Sequence, residues 1–328
     1  MNIHAWRVRF CVAVSLLAAC AAAAQPQQMP NYPLKPVRII VAFAPGGGTD
    51  IVARILARHL SEMYRQQVFV ENRPGAAGNL GADLVAKSAP DGHTLLLTVN
   101  ALAANSTLYP KLPFDTIRDF STVALVGATP NALAVHPSLP AKTAREFVAL
   151  AKAKPDQIAY ASTGTGGAAF LATEMFKLLT YIRMLHVPYK GAGPALIGIL
   201  SGEAQAIIAA LPPTVPYVRQ GKLRALGITS LKRASFAPEL PTLIEAGIKG
   251  MIFETWYGLF APSGVPRDVV IKLNASVATL LGSAEFLDQL ARQGIEPAGG
   301  TPESFEKFFR EEIERLGKVI RTSGAKPE

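Results

Sequence analysis

VRIIVAFAPGGGTDIVARILARHLSEM, residues 37–63, changes period near its middle. Val37 to Phe43 is an almost unbroken apolar run rich in β-branched residues, the pattern of a strand buried on both faces. From there on the apolar positions are Val52, Ile55, Leu56, Leu60 and Met63, which is helical spacing. Pro45-Gly46-Gly47-Gly48 separates the two as a turn. The same grammar continues outward. Gln67 to Glu71 reads as a strand, Leu80 to Ala86 as a helix stopped by Pro90, and Asp91-Gly92 as the turn into a strand from Thr94 to Val99. Further strands are expected at Ala132 to Val135, Ile158 to Ala161, Leu185 to Val187, Ala204 to Ala209 and Leu223 to Ile228. Helices over Ala144 to Ala153, Ala168 to Leu179 and Pro194 to Leu200 lie among them. Strands alternating with helices predict parallel sheets, so the fold class is α/β.

The last quarter departs from this rhythm. Phe253 to Ala261, FETWYGLFA, is an aromatic apolar run closed by Pro262-Ser263-Gly264-Val265-Pro266, and only helices follow. They are expected from about Arg267 to Leu281, from Ala284 to Gln293, and after a cap at Thr301-Pro302. Phe305, Phe308, Phe309, Ile313, Leu316 and Ile320 make an apolar stripe on that last helix. Such a stripe needs a sheet to cover, and the N-terminal one is the candidate. With 328 residues, enough for two domains, the chain is expected to leave its first domain, build a second and return.

Composition narrows the function classes. At 49% hydrophobic and 17% charged residues the chain is not a disordered one. The formal net charge of +9 is spread along the chain, with no basic run interleaved with aromatics, so nucleic acid is not an expected partner. Residues 1–24 read as a signal peptide: Arg7 and Arg9, an apolar stretch from Phe10 to Ala19, then Ala22-Ala23-Ala24 before Gln25. Cleavage there would remove both cysteines, Cys11 and Cys20. Leu17-Ala18-Ala19-Cys20 also fits a lipoprotein box that would acylate Cys20; plain cleavage is the expectation.

The chemistry sits in glycine turns between strands and helices. Gly46-Gly47-Gly48-Thr49-Asp50 opens a helix, where unpaired N–H groups and the dipole favour an anion; the alternative is a tight turn capped by Thr49 or Asp50. No Gly-Lys-Ser/Thr follows, which excludes a P-loop. Ser162-Thr163-Gly164-Thr165-Gly166-Gly167 contains the dinucleotide spacing Gly164-x-Gly166-x-x-Ala169, but His186-Val187-Pro188-Tyr189 stands where its acidic residue belongs. The hydroxyls there suit a carboxylate equally well. No zinc, serine-hydrolase or Cys/His motif is present, and His59, His93, His136 and His186 have no nucleophile or paired carboxylate beside them in sequence.

Taken in order, YPLKPVR at 32–38, VAFAPGGGTD at 41–50, VENRPGAAGNLGA at 70–82, APDGHTLL at 89–96, STGTGG at 162–167, HVPYKG at 186–191, GKLRALGIT at 221–229 and WYGLFAPSGVP at 256–266 resemble the substrate-binding proteins of tripartite tricarboxylate transporters, the Bug family. The resemblance implies a periplasmic, two-lobed binding protein of the type II, Venus-flytrap kind with two crossover strands. Residues 25–128 and 253–328 would form one lobe and 129–252 the other. It implies no catalysis and no cofactor or metal. The partners would be a small organic carboxylate and integral membrane transporter subunits, the receptor itself being a monomer; a ligand sensor for a membrane signalling protein, or an exported hydrolase or dehydrogenase, are the rival readings. By resemblance one carboxylate would meet Gly46, Gly47, Gly48, Thr49 and Asp50 and the backbone of Pro74, Ala76 and Ala77. Ser162, Thr163, Gly166 and Gly167 would close on it from the other lobe, and Phe43, Asn100 and Tyr189 would complete the site.

Two positions depart from the family pattern. Many members carry an acid where this chain has Ala209-Ala210, and a histidine where it has Phe170. An enclosed ammonium without a partner costs several kcal/mol. The ligand is therefore expected to lack an amino group and to have an aromatic or otherwise apolar body, with Phe170, opposite Phe43, as an apolar or stacking wall; the alternative is that these side chains point into the lobe core.

Overall fold

The computed structural model describes residues 32–189 and 191–327; the signal segment, Cys11 and Cys20 lie outside them. Strand β1 (Val37–Val41) is parallel to β2 (Val68–Asn72) on one side and to β3 (Thr94–Thr98) on the other. The crossovers are helix α1 (Gly48–Tyr64) and helix α2 (Asn79–Ala86), the latter preceded by a 3-10 turn at Ala76–Gly78. Val37, Ile39, Ile40 and Val41 are fully buried, as a strand covered on both faces requires. Helix α1 presses Val52, Leu56 and Leu60 against the sheet and leaves Met63 exposed.

Helix α3 (Ala101–Leu108) leads to the 16-residue strand β4 (Phe120–Val135). Its first part, through Pro130, pairs antiparallel with β9 (Glu254–Pro262), which also pairs with β3. Its last part, Asn131 to Val135, pairs with β7 (Ala206–Ala210) and β8 (Arg224–Ile228). One strand thus serves two sheets. The second sheet is completed by β5 (Ala159–Ser162) and β6 (Leu185–Pro188), parallel to each other. Helices α4 (Ala144–Ala153), α5 (Ala168–Thr180), α6 (Ala192–Leu200) and α7 (Leu211–Arg219) belong to this part. The result is a two-lobed α/β fold, joined through β4 and the segment entering β9.

A strand that changes sheets loses ladder partners, and buried side chains replace them. Asn131 N–H donates to Thr229 Oγ1 (2.9 Å), Asn131 Nδ2 donates to Phe253 O (3.0 Å), and Thr255 Oγ1 donates to Asn131 Oδ1 (3.2 Å). Thr229 Oγ1 also donates to Phe253 O. All three side chains are buried.

The C-terminal elements are α8 (Arg267–Leu281), α9 (Ala284–Arg292), the short β10 (Glu296–Pro297) and α10 (Pro302–Ser323). Thr301 Oγ1 caps α10 by accepting from Ser304 N–H (3.2 Å), with Pro302 in the first position. Phe305, Phe309, Leu316 and Ile320 are buried, and Phe305, Phe308 and Phe309 stand edge-on around Trp256 of β9. Each such burial stabilises by roughly 1.5–3 kcal/mol. The helix therefore returns to the first sheet, as its stripe requires. One member of its buried face is an acid, Glu312, which accepts from Trp256 Nε1 at 3.0 Å.

Candidate functional site

Three backbone turns gather at the carboxyl ends of parallel strands, and the internal bonds of each decide what it can offer. In the first, the Asp50 carboxylate is taken up by the turn itself. It is 3% exposed and accepts from Gly46 N–H (3.0 Å), Arg54 Nε (2.9 Å) and Asn72 Nδ2 (2.9 Å). Burial alone would push this carboxyl up, but the guanidinium of Arg54, the Gly46 N–H and the Asn72 amide together hold it below the ordinary carboxylate range. Asn72 Nδ2 also donates to Phe43 O (3.1 Å), so both ends of the turn are tied to one amide. Neither Thr49 nor Asp50 is the N-cap: that residue is Gly47, without a side-chain bond. The N–H groups of Gly48, Thr49 and Asp50 then have no intrahelical acceptor. Gly48 must be glycine, because a Cβ there would lie 2.7 Å from the hydroxyl of buried Tyr257 on β9.

The second turn, Pro74 to Gly78, is held in unfavourable conformations. Ala76 and Ala77 have φ of 48° and 52°, flanked by Gly75 and Gly78 at 132° and 91°. Left-handed backbone costs a non-glycine residue roughly 1–2 kcal/mol. Asn105 of α3 holds it, donating from Nδ2 to Ala77 O (3.0 Å) and to Asn79 Oδ1 (2.8 Å). Successive N–H groups in such a turn form an anion-binding concavity. Asn105, Asn72 and Tyr257 were not singled out in the sequence. Asn72 closes the strand before Arg73-Pro74 and carried the clearest signal of the three.

The third turn, Ser162 to Gly167, opens α5, whose N-cap is Gly167, again without a side-chain bond. Ser162 is fully buried and also taken up internally: Oγ accepts from Gly164 N–H (3.1 Å) and bonds His186 Nε2 (2.7 Å). That leaves the half-buried Thr163 and the turn's backbone for a ligand. Gly166, at φ 86°, meets the first lobe directly. A Cβ there would lie 2.6 Å from Leu108 Cδ2, 3.3 Å from Asn105 Oδ1 and 3.9 Å from Ala77 Cβ. The second and third turns are thus brought into contact across the lobes.

Several of the other expected site residues are packed or bonded within the protein. Phe170 is 4% exposed, with its ring 4.9 Å from that of His186, because the first turn of α5 directs it inward. His186 also stacks on Tyr160, 4.9 Å away. Ala209, 6% exposed, belongs to the core between β7 and α6. The expected apolar wall is therefore core packing. Tyr189 lies along α6 with its hydroxyl end over Gly198, away from the helix N-terminus. Asn100 is fully buried and donates to Glu254 O (3.1 Å), serving the join between lobes. Phe43 is half-buried, its ring edge 3.3 Å from where a Gly78 Cβ would stand, so it floors the second turn.

A groove of about 300 Å³ lies at the other end of the first sheet, among Thr122, Phe260, Val270, Phe309 and Arg310, and has no part in the turns. Among the described residues no three His, Cys, Asp or Glu side chains are grouped to hold a metal ion.

The arrangement has close parallels. Residues 52–325 match the profile of the family described as "Tripartite tricarboxylate transporter family receptor". The chain is 37% identical to protein BugT of Bordetella pertussis (strain Tohama I) over 97% of its own length and 98% of the relative's. Among solved structures, R. palustris Rpa4515 with adipate superposes with a TM-score of 0.84 at 35% identity, covering 90% of this chain and all of that one. The periplasmic binding protein BugD does so at 0.81 and 30% identity, covering 90% and 100%. With the two-lobed fold and the glycine turns on the same chain, this protein belongs to the tripartite tricarboxylate transporter family of periplasmic solute receptors.

Proposed function

We propose that the protein captures a small organic carboxylate between its lobes and presents it to the membrane subunits of a tripartite transporter, without catalysis. The supporting observation is the meeting of three backbone turns from two lobes, with the nearby carboxylate and serine hydroxyl already engaged internally. What remains for a ligand is N–H groups, helix N-termini and the hydroxyls of Thr49 and Thr163. Such groups satisfy carboxylate oxygens without a buried cation, and each helix end adds about 0.3–1 kcal/mol. Adipate, bound by Rpa4515, is a ligand of this chemistry and a suitable first probe.

In this reading residues 1–24 direct export to the periplasm, and the lobes comprise residues 25–128 with 253–328, and residues 129–252. The ligand carries no amino group, since the acid beside the turns, Asp50, is already engaged and half-buried Ala210 supplies none. An aromatic body is no longer favoured, because Phe170 is packed into the core.

Gly47 offers a clean test. It has φ −80° and nothing nearer a Cβ than Ala44 O at 3.8 Å, so the fold has room for a side chain there. Gly47→Val should leave thermal unfolding nearly unchanged. It should weaken adipate, or whichever dicarboxylate binds best in calorimetry, by at least about tenfold, or 1.4 kcal/mol. Unaltered affinity would remove the first turn from the site, and turnover of the bound acid would replace the receptor reading by an enzymatic one.

A further inference from the structure

The pair Glu312 and Arg315 on α10 stands apart from the turns, yet touches both lobes. Arg315 grips Glu312 with both arms of its fork, Nε to Oε1 (2.6 Å) and Nη2 to Oε2 (3.0 Å). Together with Trp256 Nε1 this already satisfies the buried acid. The remaining arm points the other way. Nη1 donates to Ile252 O (3.2 Å) and lies 3.5 Å from Met175 Sδ, while the guanidinium sits 5.4 Å over the Phe253 ring. Met175 is on α5, the helix whose N-terminus carries the third turn. Ile252 and Phe253 are the last residues before β9. One cation therefore joins the C-terminal helix, α5 and the second connection between lobes. Satisfying Glu312 alone does not call for that reach.

We propose that Arg315 is a positioning residue for lobe closure: it holds α5 against α10 in the arrangement that seats Gly166 on Leu108 and Ala77, and so sets the balance between closed and open receptor. It acts without touching ligand. The planar fork matters, because two of its nitrogens hold Glu312 while the third reaches Ile252 O, and a lysine keeps the charge on a single nitrogen without that fixed spread of donors.

The test uses the full chain carrying Trp6→Phe, which leaves Trp256 as its only tryptophan. Arg315→Met and Arg315→Lys are compared with Arg310→Met, a control on the same helix whose arginine pairs outward with Glu306. Without ligand, both Arg315 variants should show a larger radius of gyration by small-angle scattering and stronger acrylamide quenching of Trp256, Met more than Lys. The control should show neither. Adipate, taken as the probe through the carboxylate reading, should dissociate about tenfold faster from Arg315→Met, in line with loss of a charge-assisted bond. Radius and quenching equal to wild type in both folded variants would overturn the proposal, whatever the melting temperature does. If Met at this position does not fold, the Lys variant alone decides. If wild type binds no carboxylate, that reading fails, while scattering and quenching still decide the role of Arg315.

Discussion

Replacing Gly166 by valine is expected to reduce ligand affinity by roughly a hundredfold while the separate lobes stay folded. A valine at φ 86° carries backbone strain of about 1–2 kcal/mol. Its Cβ would also enter the space of Leu108 Cδ2, 2.6 Å away, and crowd Asn105 Oδ1 at 3.3 Å. Leu108 is only 3% exposed and has little room to yield. Overpacking of this kind costs about 1–3 kcal/mol. Because Leu108 and Asn105 belong to the other lobe, that second cost falls on closure and hence on affinity. Gly164→Val separates the two contributions: it has a similar φ of 101°, but its nearest neighbour is Tyr189 O at 3.6 Å within the same lobe. Calorimetric titration should find the Gly164 variant several-fold weakened and the Gly166 variant far more so. Equal losses in the two would show that backbone strain alone is at work and that this contact does not govern closure.

The strands of the first sheet are legible as short apolar runs bounded by turn residues. Helices α1, α4 and α10 announce themselves because apolar and polar residues alternate with a definite period. Helix α3 does not. Ala101, Leu102, Ala103, Ala104 and Asn105 are all buried, so no polar face marks its period. Helix α7 begins Leu211-Pro212-Pro213, which reads as a break, yet prolines in a first turn lack only N–H groups that have no partner there. The first half of β4 was hidden by Gly127 and Pro130. Gly127 is where β10 pairs with β4, with Glu296 O 2.6 Å from a would-be Cβ, and Pro130 stands where the strand changes sheets.

The glycine turns were legible as backbone, and the engagement of the side chains beside them was not. Glycine turns after strands are local, and their N–H groups face outward by helix geometry alone. Which side chains are free is a long-range matter. Asp50 is engaged by Asn72, 22 positions on, and Ser162 by His186, 24 positions on. Phe170 follows the turn closely in sequence but rotates inward with the helix. A polar residue beside an anion turn is thus as readily part of its scaffold as of its ligand shell.

That scaffold role makes Asp50→Ala the other large effect. The substitution strands the Gly46 N–H, leaves the Asn72 amide N–H only its bond to Phe43 O, and removes the charged partner of Arg54, which keeps Asn72 Oδ1. Because Arg54 is 55% exposed, solvent recovers much of its charge, so the stability loss should stay near 1–2 kcal/mol. Affinity should suffer more. Fixing a residue's backbone costs about 1–2 kcal/mol, and a turn no longer ordered beforehand must be ordered by the ligand. Even two residues released in this way imply roughly a hundredfold loss. Acid should reproduce the stability part. The native carboxyl titrates below its unfolded counterpart, so its contribution is complete above the unfolded value, about 3.9, and is lost as pH falls through the lower native one. Ligand carboxyls ionise in the same range, which makes affinity a poor readout there. Denaturant unfolding of ligand-free protein avoids this: the gap between wild type and Asp50→Ala should be constant from pH 7 to 5 and shrink as pH falls below the unfolded value and through the lower native one. A gap that persists in acid, or an Asp50→Ala affinity within threefold of wild type, would mean that the turn keeps its shape without this carboxylate.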